Sequence, residues 1–178
     1  MAAWPVANEP MVFPYISRFR EALAGLYASE RAFLAPFDPI RPDEFYTAEG
    51  QRIEVEHALA QRAAGSRYRF VIEADGELVG TLGIGNVVGS VFQSGNLGYF
   101  VARAANGCGV ATRAVALAAE QAFGPLGMHR LEAGTLVDNV ASQRVLEKNG
   151  FERIGLARAY LRIAGAWRDH ILFQRVAE

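Results

Sequence analysis

The amino-acid sequence predicts one domain of the α/β (α+β) class built on a mixed sheet. Three observations lead there. Two helix-period segments open the chain, a meander of apolar strand-like runs follows, and the second half reads strand, helix, strand, helix and hairpin. With 178 residues, 51% hydrophobic and 21% charged, the chain can bury one sizeable core. No repeat, low-complexity tract or Gly/Ser linker divides it.

Residues 1–10 read as a loose N-terminal arm, because Pro5, Pro10 and Pro14 interrupt regular structure, and a short first strand is expected near Val12 to Ile16. Ser17 to Phe37 reads as a helix capped by Ser17, with Phe19, Leu23, Leu26 and Tyr27 at helical spacing and Pro36 and Pro39 ending it. Thr47 to Gly65 reads as a second helix, capped by Thr47 and stopped by Gly65. Tyr68 to Ala74, the turn Asp75 to Glu77 and Leu78 to Val88 form a hairpin, and Asn96 to Ala105 adds a fourth strand. An alanine-rich helix follows and breaks at Gly124 to Gly127. His129 to Val137 is then a strand, and Asn139 to Gly150 a short helix with Gly150 at its end. The runs 151–163 and 170–176 close the chain as a hairpin with its tip at Ala164 to Asp169.

Composition excludes several functions. A net charge of −1 argues against a direct nucleic-acid binder. No apolar run is long enough to span a bilayer, and the N-terminus lacks the basic and apolar regions of a signal peptide, so a soluble cytoplasmic protein is expected. Cys108 is the only cysteine, which rules out internal disulfides and a cysteine-based metal cluster; no metal is expected.

The informative junction is "YFVARAANGCGVATRA", where Gly107 and Gly109 precede a helix. Glycine weakens a helix interior by about 1 kcal/mol relative to alanine. It does, however, leave the unpartnered N–H groups of a helix start uncovered, and phosphates bind there. Such a loop is equally a common turn into a packed helix. The Gly-Lys-Ser/Thr of a P-loop is absent, and Thr112 stands where the dinucleotide fingerprint needs glycine or alanine.

Read together, "GYFVARAANGCGVATRA" and "NVASQRVLEKNGFERIG" resemble the GNAT superfamily of acetyl-CoA-dependent N-acetyltransferases. "NGCGVA" sits at its Gln/Arg-x-x-Gly-x-Gly/Ala loop, "NVAS" at its Asn-x-x-Ser signature and "LEKNGF" at its Leu-x-x-x-Gly-Phe turn. "ERAFLAPFDPIRPDEFY", "NVVGSVFQSGNLGYFV" and "GFERIGLARAYLRIAGAWRDHIL" are similar to the RimJ/RimL branch, the ribosomal-protein N-terminal acetyltransferases, and closest to its alanine-acetylating RimJ type. The likeness runs from about Val12 to the C-terminus.

The resemblance implies a mostly antiparallel sheet splayed between its fourth and fifth strands, with acetyl-CoA in the gap. Main-chain groups of Phe100, Val101 and Ala102 would pair with the pantetheine amides. The backbone of Asn106, Gly107, Cys108, Gly109, Val110, Ala111 and Thr112 would hold the pyrophosphate, and Asn139 would reach the cofactor. Arg103 and Arg113 are candidates to neutralise phosphate. Asn106 departs from the usual Gln/Arg, and Cys108 is a spacer in this loop. A neutral amine attacks the thioester through a tetrahedral intermediate. Val101 N–H is the expected oxyanion donor, and Ser142 the expected acid for the thiolate unless it merely caps its helix. Tyr160 joins it as a catalytic candidate.

The base stays open. The branch often carries an acid where Ala159 stands, and another before "LGY", where this chain has Gly95 and Asn96. His170, Asp169, Tyr160 and Glu132 are the candidates. A weak base favours a protein N-terminus: an α-amine is about a tenth neutral at pH 7, a lysine under about a thousandth. Phe33, Phe37, Tyr46, Tyr160 and Trp167 are candidate pocket walls. A small amine such as an aminoglycoside or polyamine remains an alternative acceptor, as does a non-catalytic acyl-CoA-binding module. A homo-oligomer through edge strands or the closing hairpin is left open.

Overall fold

The computed structural model describes residues 11–14 and 17–177, so the expected arm over residues 1–10 and the strand end at Tyr15 and Ile16 lie outside the described residues. Strand β1 (Met11–Pro14) pairs antiparallel with β2 (Tyr68–Ala74), which continues into β3 (Glu77–Val88). The connecting turn has Asp75 and Gly76 at φ 53° and 80°, the two positive values a two-residue hairpin needs. Between β1 and β2 come helices α1 (Arg20–Leu34) and α2 (Ala48–Ala63). Then follow β4 (Ser94–Val101), α3 (Val110–Phe123), β5 (Arg130–Leu136), α4 (Val140–Lys148), β6 (Glu152–Ile163) and β7 (Ala166–Val176). The seven strands lie in the order β1-β2-β3-β4-β5-β7-β6.

Two cores sit on opposite faces of this sheet, and β2 shows why. Phe70 and Ile72 join the cluster under α3 and α4, while Val71 joins the one under α1 and α2. Alternate side chains of a strand point to opposite faces, so a strand covered on both sides is apolar throughout.

Several expected boundaries are corrected. The first α-helix starts at Arg20 after a 3₁₀ turn, Ser17–Phe19. Phe19 rather than Ser17 is its cap residue, and no side chain caps it. The fourth strand ends at Val101, not Ala105, because the chain turns as a 3₁₀ segment over Arg103–Ala105, with Ala105 N–H bonded to Ala102 O at 3.0 Å. The closing hairpin turns at Ala164 and Gly165 alone, with φ of 49° and 82°, so residues 166–169 belong to β7 rather than to a loop. Thr47, by contrast, caps α2 as expected, accepting Gly50 N–H at 3.0 Å.

The register of β4 positions everything that follows. It pairs with β3 over its length, but its parallel pairing with β5 stops at Leu97↔Ala133. Beyond that point Gly98 to Val101 hold only to β3, and Gly134 to Leu136 only to β7. The sheet is therefore joined through four residue pairs and splayed above them. Across the top of the opening, Ala164 N–H donates to Asp38 O at 3.0 Å, tying the β6–β7 tip to the α1–α2 loop.

Candidate active site

Antiparallel strands alternate residues that bond their partner with residues whose N–H and C=O point away. The bond from Ala102 N–H to Val79 O, at 2.7 Å, fixes the parity: even-numbered β4 residues bond β3, and Leu97, Tyr99 and Val101 present their main chain to β5. Leu97 meets β5. Tyr99 and Val101 face the splay with main-chain groups available. Phe100 and Ala102 direct theirs to β3, and Phe100 packs its ring 5.2 Å from Tyr27 on the α1 face.

The loop from β4 to α3 is built of uncovered backbone. Gly107 and Gly109 have φ of 80° and 83°, and Gly109 is the cap residue of α3 with no side-chain cap bond. Nothing lies within 4 Å of where a β-carbon would stand on either glycine. Among the described residues, the N–H groups from Gly107 to Thr112 have no hydrogen-bond acceptor. Six donors at the positive end of a helix, two of them on glycines with no side chain in the way, fit a diphosphate. Asn106 N–H bonds Arg103 O at 3.3 Å, and Cys108 lies half-buried with its thiol 3.7 Å from Asn106 O. Arg103 sits with its guanidinium 5.4 Å from the Phe33 ring, and Arg113 lies 3.9 Å from Glu120.

Across the splay, Asn139 is the N-cap of α4, its Oδ1 accepting Ser142 N–H at 3.1 Å. The cap is thus Asn139 and not Ser142, whose hydroxyl is left for another partner. That partner is Tyr99, whose Oη lies 2.8 Å from Ser142 Oγ and 3.2 Å from Ser142 O. Burial pushes the Tyr99 phenol up to about 12, an effect the Ser142 bond only partly offsets. Tyr99 therefore stays a proton donor throughout the neutral range. Sequence reasoning missed Tyr99; it stands in "LGYF", but only the splay shows that its ring reaches α4.

The four candidate bases separate by geometry. Asp169 accepts Ala159 N–H at 2.8 Å, and Glu132 lies 3.7 Å from Arg130. Tyr160 is exposed on a bulge of β6, its ring 5.5 Å from His170. His170 is 3% exposed and lines the cleft, with Nδ1 3.0 Å from Arg168 O. A carbonyl only accepts, so Nδ1 carries the proton and the neutral ring offers Nε2 as an acceptor. The His170 Cδ2 edge stands over Gly134, beside the point where β4 and β5 part. Ala159 itself has φ 46° in the bulge.

His170, Ser142, Asn139 and Tyr99 line one cleft of about 460 Å³ that runs through the splay. Ser142, Asn139 and Tyr99 stand on its α4 side, and Phe37, Arg41, Arg67 and Arg69 on the other. Of the expected aromatic walls only Phe37 lines it; Leu161 and Ile163 serve where Tyr160 and Trp167 were expected, and Tyr46 borders a neighbouring recess. Among the described residues no group of His, Cys, Asp or Glu is arranged to hold a metal, and no helix is long and apolar enough to cross a membrane.

Residues 18–152 match the acetyltransferase (GNAT) domain family. The chain belongs to the GNAT acetyltransferases. The probable N-acetyltransferase YjcK of Bacillus subtilis is 39% identical over 148 residues, covering 82% of each chain. The [ribosomal protein uS5]-alanine N-acetyltransferase of Escherichia coli is 31% identical over 152 residues, covering 84% of this chain and 78% of its own. Among solved structures, Mycobacterium smegmatis RimJ in complex with CoA-disulfide superposes with a TM-score of 0.91 at 33% identity, over 94% of this chain and 82% of that one. The sheet with its parallel β4–β5 pair is the GNAT fold.

Proposed function

We propose that this GNAT enzyme acetylates the α-amine of a protein N-terminus, with acetyl-CoA as donor and an N-terminal alanine as the favoured acceptor. The observation that carries the donor half is the run of six uncovered N–H groups from Gly107 to Thr112 at the start of α3. They receive the pyrophosphate, and the main-chain groups of Tyr99 and Val101 receive the pantetheine amides as an added strand would. Asn139, with Oδ1 held by its helix, keeps its amide N–H groups for the cofactor. Bound there, acetyl-CoA supplies the thioester.

The residues of the splay divide the remaining work. Tyr99 N–H, at the base of the gap beside Gly98, rather than the expected Val101 N–H further along the pantetheine run, donates to the negative charge that builds on the carbonyl oxygen. Ser142 Oγ returns a proton to the departing sulfur, and Tyr99 O–H replaces it across 2.8 Å. His170 Nε2 accepts the amine proton, directly or through one water, while Tyr160 packs against its ring. A histidine base suits an α-amine, which needs little help at neutral pH. The alanine preference is drawn from the relatives, whose uS5-alanine acetyltransferase covers most of this chain.

The test is direct. Acetyl-CoA is expected to raise the melting temperature, and a peptide beginning with a free alanine to release CoA. Failure of the protein to bind CoA at all would remove the proposal. Turnover of polyamines or aminoglycosides with no turnover of peptides would move the acceptor to a small amine.

A further inference from the structure

The acceptor end of the cleft is unusually cationic for a site that must admit an amine. Arg41, Arg67 and Arg69 all line it, and Asp38 is the one carboxylate among the lining residues. Asp38 is already engaged by Arg41 Nε at 2.7 Å, and Arg69 pairs with Glu54 at 2.8 Å behind the wall. Arg67 is different. Among the described residues its guanidinium has no ion-pair or hydrogen-bond partner. It lies flat across Gly85, where a β-carbon would stand 3.2 Å from Nε and 3.5 Å from Cζ. Burial, and then the charge of Arg69, push Arg67 below its ordinary pKa, so a docking anion relieves a repulsion already present. Asn86 and Asn96 stand at the same end of the cleft and add amide donors.

This charge is not placed for the cofactor's pyrophosphate. Gly80 lies opposite Val101 at the glycine-loop end of β4, whereas Gly85 lies opposite Asn96. Five residues of strand separate them, about 17 Å. The splay begins at Gly98, opposite Gly83, two residues or about 7 Å from Gly85. An acceptor with its amine at the splay would therefore bring its second or third residue to Arg67.

We propose that Arg67, supported by Arg41, Arg69 and the two asparagine amides, is an anion subsite that selects acceptor peptides with an acidic side chain at the second or third position. This rests on the acetyl-transfer reading above and narrows its substrate class. A guanidinium meets a carboxylate through two parallel hydrogen bonds, a geometry lysine cannot copy. The same positive field disfavours the ammonium form of the acceptor, which eases its deprotonation where the family's usual carboxylate is replaced by Ala159.

The experiment compares peptides Ala-Glu-, Ala-Gln- and Ala-Lys- (and their third-position counterparts) by kcat/KM and, separately, by calorimetric affinity for the CoA-loaded protein. The native enzyme is expected to prefer the glutamate peptide over the glutamine peptide by about tenfold, mainly in KM, with the preference shrinking as salt rises. Arg67→Gln should erase the preference, bringing the Glu and Gln peptides to one KM; Arg67→Glu should turn it toward lysine. Equal handling of the Glu and Gln peptides by the native enzyme, or a preference that survives Arg67→Gln, would overturn the subsite. Arg67-dependent binding of the glutamate peptide without turnover would uphold the subsite and strike the peptide acetyltransferase reading instead. Turnover of small amines alone would do the same if carboxylated amines were preferred to their amides through Arg67, and would overturn both readings if they were not.

Discussion

The glycine loop and the acceptor cleft lie at opposite ends of β4, and they are made of different materials. The loop is main chain: two left-handed glycines and six N–H groups contributed by consecutive residues, Gly107 to Thr112. The cleft is side chain: Arg41 from the α1–α2 connection, Arg67 from the edge of β2, Ser142 from α4 and His170 from β7. A site made of backbone is written in a few adjacent letters. A site made of side chains is written in the topology, and its chemistry appears only when the sheet is assembled.

That contrast can be broken at either end. The largest effect is expected from Gly109→Val. No atom beyond the chain neighbours lies within 4 Å of the new β-carbon, but a β-branched residue resists φ 83° and shields the donors. CoA affinity measured by calorimetry should fall several hundredfold, about 3–4 kcal/mol, with kcat at saturating donor much less affected.

His170→Ala acts on the other end. It should lower kcat by about a hundredfold, near the bottom of the usual range for a positioned base because an α-amine is partly neutral already, and leave CoA affinity intact. A variant equally impaired in CoA binding would show that the two ends are not separable.

Tyr99 belongs to both, and Tyr99→Phe sharpens the boundary. It should cost about tenfold in kcat through loss of the bond to Ser142. The phenol also has a stability signature. Its folded pKa is raised to about 12 from an ordinary value of 10.0, so the folded state holds the proton longer. Stability is fully supported below about pH 10 and falls by about 2–3 kcal/mol as pH rises to 12. Denaturant titrations of Tyr99→Phe should lack that alkaline decline.

The smallest effect lies outside both sites. Ala159 holds φ 46° with its N–H bound by Asp169. Ala159→Gly removes the left-handed strain at the cost of some chain entropy, and should stabilise the protein by about 0.5–1 kcal/mol, raising Tm by about 2–3 °C with activity unchanged.

The elements were legible where the chemistry is local. The β2–β3 turn announces itself through Asp75-Gly76, and α2 through its Thr47 cap. The closing tip is shorter than its letters suggest: "AWRD" lacks the apolar alternation of a half-buried strand because on an exposed hairpin both faces meet water. Parity in β4 was also out of reach: which of Tyr99, Phe100 and Val101 turns its main chain to the gap follows from one bond, Ala102 to Val79. For the arginines a signal existed. Arg67 and Arg69 are two apart, the spacing that puts side chains on one face of a strand, but Arg41 joins them only through the fold.

The clasp between Ala164 and Asp38 carries a mechanical meaning. Two half-sheets that share four residue pairs at the base, a common core on the α3 face and a main-chain tie at the top form an arch, whose pillars are bound together from below. Lengthening the crest at residues 164–165 would therefore widen the doorway offered to the incoming chain end while both pillars keep standing.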